Sequence, residues 1–272
     1  MDLKIFLMQG RLRPPFLHRY QVFPRDWVLE ADEILDLGFD GLELLQDTDG
    51  HCLRNLSEPG SRKRLAKLVS SKKVYTLCGD QLSHYNLMEP ESREKFIPLL
   101  NLTVELIAEC GLTSLVLPLC NKNQVQNGEE LRSWFHFFLE SGGLKLKERF
   151  GVQLLFEIDL GVNELRKVAH EIKQDGFAIC LDTGNLIQNG VALDEYLLEF
   201  GELVGHIHIK DKDRSGRNVR LGNGSVDFKS FFRELSKVNY RGNATLETAF
   251  YKHPREEASL NLAFTRKQVA AP

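Results

Sequence analysis

Short apolar runs alternate with stretches of helical apolar spacing along the whole chain, eight times over. The runs are Leu3–Met8, Asp40–Leu45, Val74–Cys78, Leu112–Leu119, Val152–Glu157, Phe177–Leu181, Leu203–Ile209 and Ala244–Glu247. The spacing between them predicts helices over Trp27–Leu37, Ser61–Ser70, Glu91–Cys110, Glu129–Arg149, Asn163–Lys173, Leu193–Phe200 and Asp227–Val238, with a last one near Glu256–Phe264. Gly38, Gly111, Gly151 and Gly201 close helical stretches, at the position where glycine accepts the left-handed backbone that other residues resist. Such alternation implies parallel strands with helices outside them. Eight repeats imply an α/β fold of the (β/α)8 barrel type, a single domain over residues 1–272. The competing arrangement, an open doubly wound sheet, carries a Gly-rich phosphate loop after its first strand, and none follows Met8.

Composition narrows the class of partner. With 27% charged residues and a net charge of −3, the chain lacks the basic surplus that a nucleic acid requires. Apolar runs stop far short of the ~18 residues of a membrane span. The N-terminal MDLKIFLMQGRL has no long apolar core before a small-residue cleavage site. Five scattered cysteines, without a CxxC, fit reduced thiols in the cytoplasm better than a disulfide framework.

Four of the later runs end in, or run through, a metal-type side chain: Glu157, Asp182, His208 and Glu247. Their spacings of 25, 26 and 39 residues are each about one βα unit, the last lengthened by an extended loop, Asp213–Val226. A lone Glu or Asp after an apolar run ordinarily caps a turn or a helix. Four on consecutive strands, at the barrel end where active sites form, point instead to one mouth. Three carboxylates and an imidazole make a hard, oxygen-rich donor set for one divalent metal ion: Mn, Mg or Co, with Zn also open.

Further candidates surround these four. Gln9 and Arg11 leave the first strand at the same end and suit an anionic substrate group, or hydrogen bonding within the loop. Glu43 ends the second strand and would lie behind the ligands or on substrate. Asp80 and His84 follow the third, where His84 would contact substrate or be a plain loop histidine. His206 alternates with His208 on one strand face and would hydrogen-bond a ligand carboxylate or simply pack. Lys210 and Asp211 are expected to orient the loop after the seventh strand. The segment Trp134–Phe138 reads as core or subunit contact.

Glu157, Asp182-Thr183-Gly184-Asn185, His206-Ile207-His208-Ile209-Lys210-Asp211 and Leu246-Glu247-Thr248 resemble the strand-end motifs of the sugar phosphate isomerase/epimerase group of xylose isomerase-like TIM barrels, related to the ketose 3-epimerases. The opening Leu7–Leu12, with Phe23-Pro24, Trp27 and Gly38–Glu43, is similar to members of the same group. The resemblance implies that Glu157, Asp182, His208 and Glu247 are the metal ligands, with Glu157 and Glu247 also the catalytic acid/base pair. It implies a sugar-like small-molecule substrate, proton removal beside a carbonyl and an enediolate. Return of the proton to the same carbon epimerises; return to the neighbour isomerises. Two features qualify the likeness. Where the epimerases have a substrate-contacting His three residues after the strand-six Asp, this chain has Asn185. Arg214, six residues after His208, matches a substrate-binding Arg that holds a hydroxyl, carboxylate or phosphate, or else it is a surface-loop residue. The related AP endonucleases need additional His ligands, absent at Leu117–Leu119, at Asn185 and in Leu221–Asp227. A dehydratase or lyase using the same site, and a barrel that binds a sugar without turning it over, stay open, as does a homodimer or homotetramer.

Overall fold

The computed structural model describes residues 2–13, 27–248 and 252–270. The Pro14-Pro15 loop and the Phe23-Pro24 pair lie outside them. Eight parallel strands close into a barrel. They are β1 Lys4–Met8, β2 Gly41–Leu45, β3 Val74–Cys78, β4 Ser114–Pro118, β5 Gln153–Glu157, β6 Ala178–Asp182, β7 Val204–Ile209 and an eighth strand, Asn243–Leu246. Round the barrel the order is β1, eighth, β7, β6, β5, β4, β3, β2. The strands are short and apolar because both of their faces are covered, and β2 is buried at every position.

Helices fill the crossovers: α1 Trp27–Asp36, α2 His51–Ser57, α3 Pro59–Ser70, α4 Pro90–Glu109, α5 Gly128–Glu140, α6 Gly143–Phe150, α7 Val162–Gln174, α8 Thr183–Gln188, α9 Leu193–Phe200, α10 Phe228–Lys237 and α11 Pro254–Ala270. Side chains that accept otherwise unpaired N–H groups set the starts of α5, α8 and α10. Asn127 accepts from Glu129 and Glu130 at the start of α5, and Asp227 accepts from Ser230 at the start of α10. Among the described residues no helix is long and apolar enough to cross a membrane.

By mutual contacts the chain groups into two compact units. One is Met1–Leu42, Asp159–Val162 and Ile179–Pro272. Its core includes Phe228, Phe231 and Phe232, with the half-buried Phe264 edge-on to Phe228. The other is Glu43–Ile158 with Asn163–Ala178. There Trp134 stacks on Phe138 at 5.3 Å, with Phe156 edge-on to both, and the indole N–H donates to Asn123 Oδ1 at 2.8 Å. Of the Trp134–Phe138 segment, Trp134, Phe135 and Phe138 are therefore core, and His136 is exposed beside Glu171.

Several local expectations are corrected. The helix predicted over Glu129–Arg149 is two helices, because Gly142 takes φ 94° and turns the chain between them. The apolar spacing continues across the break, so periodicity alone does not reveal it. Two short helices, α2 and α8, were not expected; at seven and six residues they are too brief to show a period. Part of the extended loop Asp213–Val226 belongs to a hairpin, in which Asp211–Lys212 pairs antiparallel with Asn218–Val219. Gly38, Gly111 and Gly151 have positive φ, as the C′ reading requires. Gly201 does not, at φ −54°. It is needed for space instead, since a Cβ there would meet Val238 at 2.9 Å.

One irregularity places the later strands. Ile179 pairs with Val204, but Cys180 pairs with His206 and Asp182 with His208, so β7 carries one extra residue at Gly205. Side chains alternate in a strand, and a one-residue offset exchanges its two faces. Were β7 to run past Gly205 with no shift in register, Asp182 would sit opposite Ile207. With the shift, Asp182 and His208 stand side by side.

Candidate metal centre

β5 ends on Glu157 and β6 on Asp182; His208 is the penultimate residue of β7, and Glu247 follows the eighth strand directly. All four are buried, and each offers a ligand atom within 4.8 Å of the others'. Asp182 is 1% exposed and His208 not at all. His208 Nδ1 lies 3.4 Å from Glu247 Oε2.

The sequence Asp182-Thr183-Gly184-Asn185 has a separate task at each position. Asp182 Oδ1 accepts the Asn185 N–H at 2.9 Å and so starts α8. Its Oδ2 is left to face the Lys210 ammonium at 2.9 Å. The capping role and the charged role are thus divided between two oxygens of one carboxylate. The Thr183 hydroxyl donates to the Lys210 carbonyl at 2.7 Å and accepts the Lys210 N–H at 2.9 Å, fixing that backbone. Gly184 lets the lysine stem pass, since a Cβ there would lie 3.0 Å from Lys210 Cγ.

Lys210 is the residue whose place the sequence reading missed. It does not merely orient the following loop. Its Nζ also lies 3.0 Å from Glu247 Oε1, so it bridges Asp182 and Glu247. Arg11 adds a second cation, with Nη2 3.5 Å from Glu247 Oε1. The signal was present: His206, His208 and Lys210 occupy alternate positions, and the alternation that points His208 inward carries on to Lys210. Burial pushes the Asp182 carboxyl up, but the charges of Lys210 and His208 and the Asn185 N–H together hold it below its ordinary value.

The donor set fits a divalent cation. Three carboxylates face two protein cations, so a negative excess remains in a buried place, and the imidazole adds a nitrogen donor. Oxygen-rich sets of this kind suit Mg, Mn or Co, and the His also suits Zn.

The other candidate residues fall at different distances from this centre. His206 is buried, edge-on to His208 with ring centroids 5.3 Å apart, and its Nε2 is 3.1 Å from Thr245 Oγ1. Glu43 is the central residue of β2 rather than its end; it is buried and offers a ligand atom within 4.8 Å of those of His206 and His208. Gln9 is fully buried at the end of β1. Its loop is held by Glu30 of α1, whose carboxylate accepts from the Gly10 N–H at 3.0 Å and the Leu12 N–H at 3.4 Å. Burial raises the Glu30 pKa to about 7, against the lowering effect of those N–H groups and of Arg13. Asn185 is half-buried beside Asp182. His84 is exposed at the end of a 3-10 turn, Asp80–His84. Arg214 is exposed on the hairpin turn and makes no ion pair with a described residue.

Known proteins agree with this architecture. The L-ribulose 3-epimerase of Methylomonas sp. (strain DH-1) is 36% identical over 80 residues, 29% of this chain and 26% of that relative. The L-ribulose-5-phosphate 3-epimerase UlaE of Salmonella heidelberg (strain SL476) is 26% identical over 263 residues, covering 90% of this chain and 89% of its own. Among solved structures, the IOLI protein with a binding zinc atom superposes with a TM-score of 0.74 at 15% identity, over 98% of this chain and 97% of its own. Residues 31–268 match the family model for the xylose isomerase-like TIM barrel. With a closed parallel barrel and a family match over most of its length, the chain belongs to the xylose isomerase-like TIM barrel family.

Proposed function

We propose that the chain is a divalent-metal-dependent epimerase or isomerase acting on a sugar, sugar phosphate or related polyol. The observation that carries this reading is the buried convergence of Glu157, Asp182, His208 and Glu247 at the ends of consecutive strands. The names of the relatives, L-ribulose 3-epimerase and L-ribulose-5-phosphate 3-epimerase, support the substrate class. The zinc atom of the IOLI protein supports a metal in this fold.

Glu157, Asp182, His208 and Glu247 would hold the cation. When bound, it supplies positive charge to offset the negative charge that grows on a substrate oxygen as a proton leaves the adjacent carbon. The remaining work falls to the protein. One of Glu157 and Glu247 removes that proton, and the other returns one. Lys210, with Nζ 3.0 Å from its Oε1, holds the Glu247 carboxylate in place. Arg11, against the same carboxylate, does likewise. Burial of the group excludes water that would compete for the transferred proton.

The test is solvent deuterium exchange into a panel of ketoses and ketose phosphates, with the metal content of the purified protein measured alongside. Exchange at the carbon beside the carbonyl is expected, falling about 10²- to 10⁴-fold in Glu157→Gln and in Glu247→Gln, the range for losing one acid/base group. A ligand that binds well but exchanges no proton in the wild-type protein would sink the reading.

A further inference from the structure

The hairpin after β7 plays no part in the chemistry above, yet it is firmly built. Asp211 pins its return strand, accepting N–H groups from Gly222, Gly224 and Val226. Asp213 closes its turn, accepting from the Ser215 N–H and hydroxyl and from the Arg217 guanidinium at 3.1 and 2.9 Å. Between this hairpin and the end of α8 lies a cavity of about 410 Å³, lined by residues that include Gln188, Lys212, Arg214 and Ser225.

The charges lining the cavity do not cancel. Its one carboxylate, Asp213, is already paired with Arg217. Lys212 is half-buried, and its ammonium meets only a neutral acceptor, Gln188 Oε1, at 2.5 Å. Arg214 makes no hydrogen bond or ion pair with a described residue, and neither does the Ser225 hydroxyl. A partly desolvated ammonium without a counter-ion is unfavourable, and a bound anion relieves it. Burial and the neighbouring charge of Lys210 hold the Lys212 pKa below its ordinary value, against the opposing charges of Asp182, Asp159 and Glu247. The walls of the cavity run on from the metal centre along the chain: α8 is capped by Asp182 and ends on Gln188, and Lys212 follows Lys210 by two residues.

We propose that this cavity is an anion subsite that takes the phosphate of a phosphorylated sugar, with Lys212 and Arg214 as charge partners and Ser225 and the Gln188 amide as neutral donors. Two cations and two neutral donors suit a dianion with several acceptor oxygens. The assignment rests on the sugar-epimerase reading for its substrate, but the cavity's affinity for phosphate does not depend on turnover.

Inorganic phosphate is titrated calorimetrically into the metal-loaded protein, its Lys212→Met and Arg214→Gln variants, the double variant and Lys229→Met, a change at an exposed lysine on α10. Saturable binding is expected in the wild type and in Lys229→Met. It should weaken at least tenfold in each single cavity variant and vanish in the double one, with Lys212→Arg recovering most of the loss. In exchange assays, the preference for a ketopentose phosphate over the free ketopentose should fall at least tenfold in Lys212→Met. Wild-type protein that fails to bind phosphate, or a double variant that binds it as well as wild type, overturns the assignment. Phosphate binding that needs Lys212 and Arg214, in a protein that exchanges no sugar proton, upholds the cavity and removes the epimerase reading.

Discussion

Lys210 shows how one side chain ties the site together. Its ammonium lies between Asp182 and Glu247, at 2.9 and 3.0 Å, and both carboxylates are nearly sealed from water. Removing one partner from such a group leaves buried charge uncompensated, at a cost of about 3–5 kcal/mol. Lys210→Met is therefore expected to lose about that much stability in chelator-treated protein, measured by urea denaturation. Excess divalent cation should restore a large part of it, because positive charge is what the variant lacks. Glu30 offers a second test. Its carboxyl has a pKa of about 7 in the folded chain against 4.5 ordinarily. The folded state thus binds this proton more tightly than the unfolded one. The stabilisation is complete below about pH 4.5 and is lost as pH rises through about 7, amounting to ~3 kcal/mol over the full shift. Denaturation free energies of Glu30→Gln should accordingly decline less between pH 5 and 7.5 than those of the wild type. Equal slopes would show that Glu30 is not the group responsible. At this scale the four strand-end ligands were readable because an apolar run that stops on Glu, Asp or His is conspicuous. Lys210 was not, because a lysine just beyond a strand looks like any loop residue until the strand's inward face is known.

Elements were legible in proportion to their length. Strands such as Val74–Cys78 and helices such as α4 show a period or an unbroken apolar run, and their bounds follow to within a residue or two. The break between α5 and α6 is written in two glycines rather than in any change of apolar pattern. Gly142 turns the chain, and Gly143 lies under the Phe138 ring, where a Cβ would collide. Gly143→Ala is expected to destabilise the protein by about 1–3 kcal/mol, seen as a lower urea midpoint with unchanged slope, since the ring cannot withdraw from its stack with Trp134 without disturbing Phe156. The hairpin of Asp211–Lys212 and Asn218–Val219 was invisible for a different reason. Two-residue strands have no alternation to read, and what holds them is a set of carboxylate-to-backbone hydrogen bonds that only the folded chain displays.

For the whole molecule, the barrel follows from repetition, whereas the site follows from register, and register is the harder of the two to read. A cation that binds the folded chain and not the unfolded one stabilises by mass action, about 2.7 kcal/mol at a hundred times its dissociation constant. Calorimetric melting with added Mn²⁺ is therefore expected to shift upward by several degrees, and Asp182→Asn should lose most of that response. A melting temperature indifferent to every divalent ion tried would count against the cluster as a metal centre. Gly205 bears on any attempt to rebuild the strand. The first half of β7 keeps one phase with β6, and the second half keeps the other. A redesign that kept every residue of β7 but held the strand regular from Val204 onward would still close the barrel and still look native by its apolar pattern. It would nevertheless turn His206, His208 and Lys210 outward together, so the shift at Gly205 has to be designed in along with the sequence.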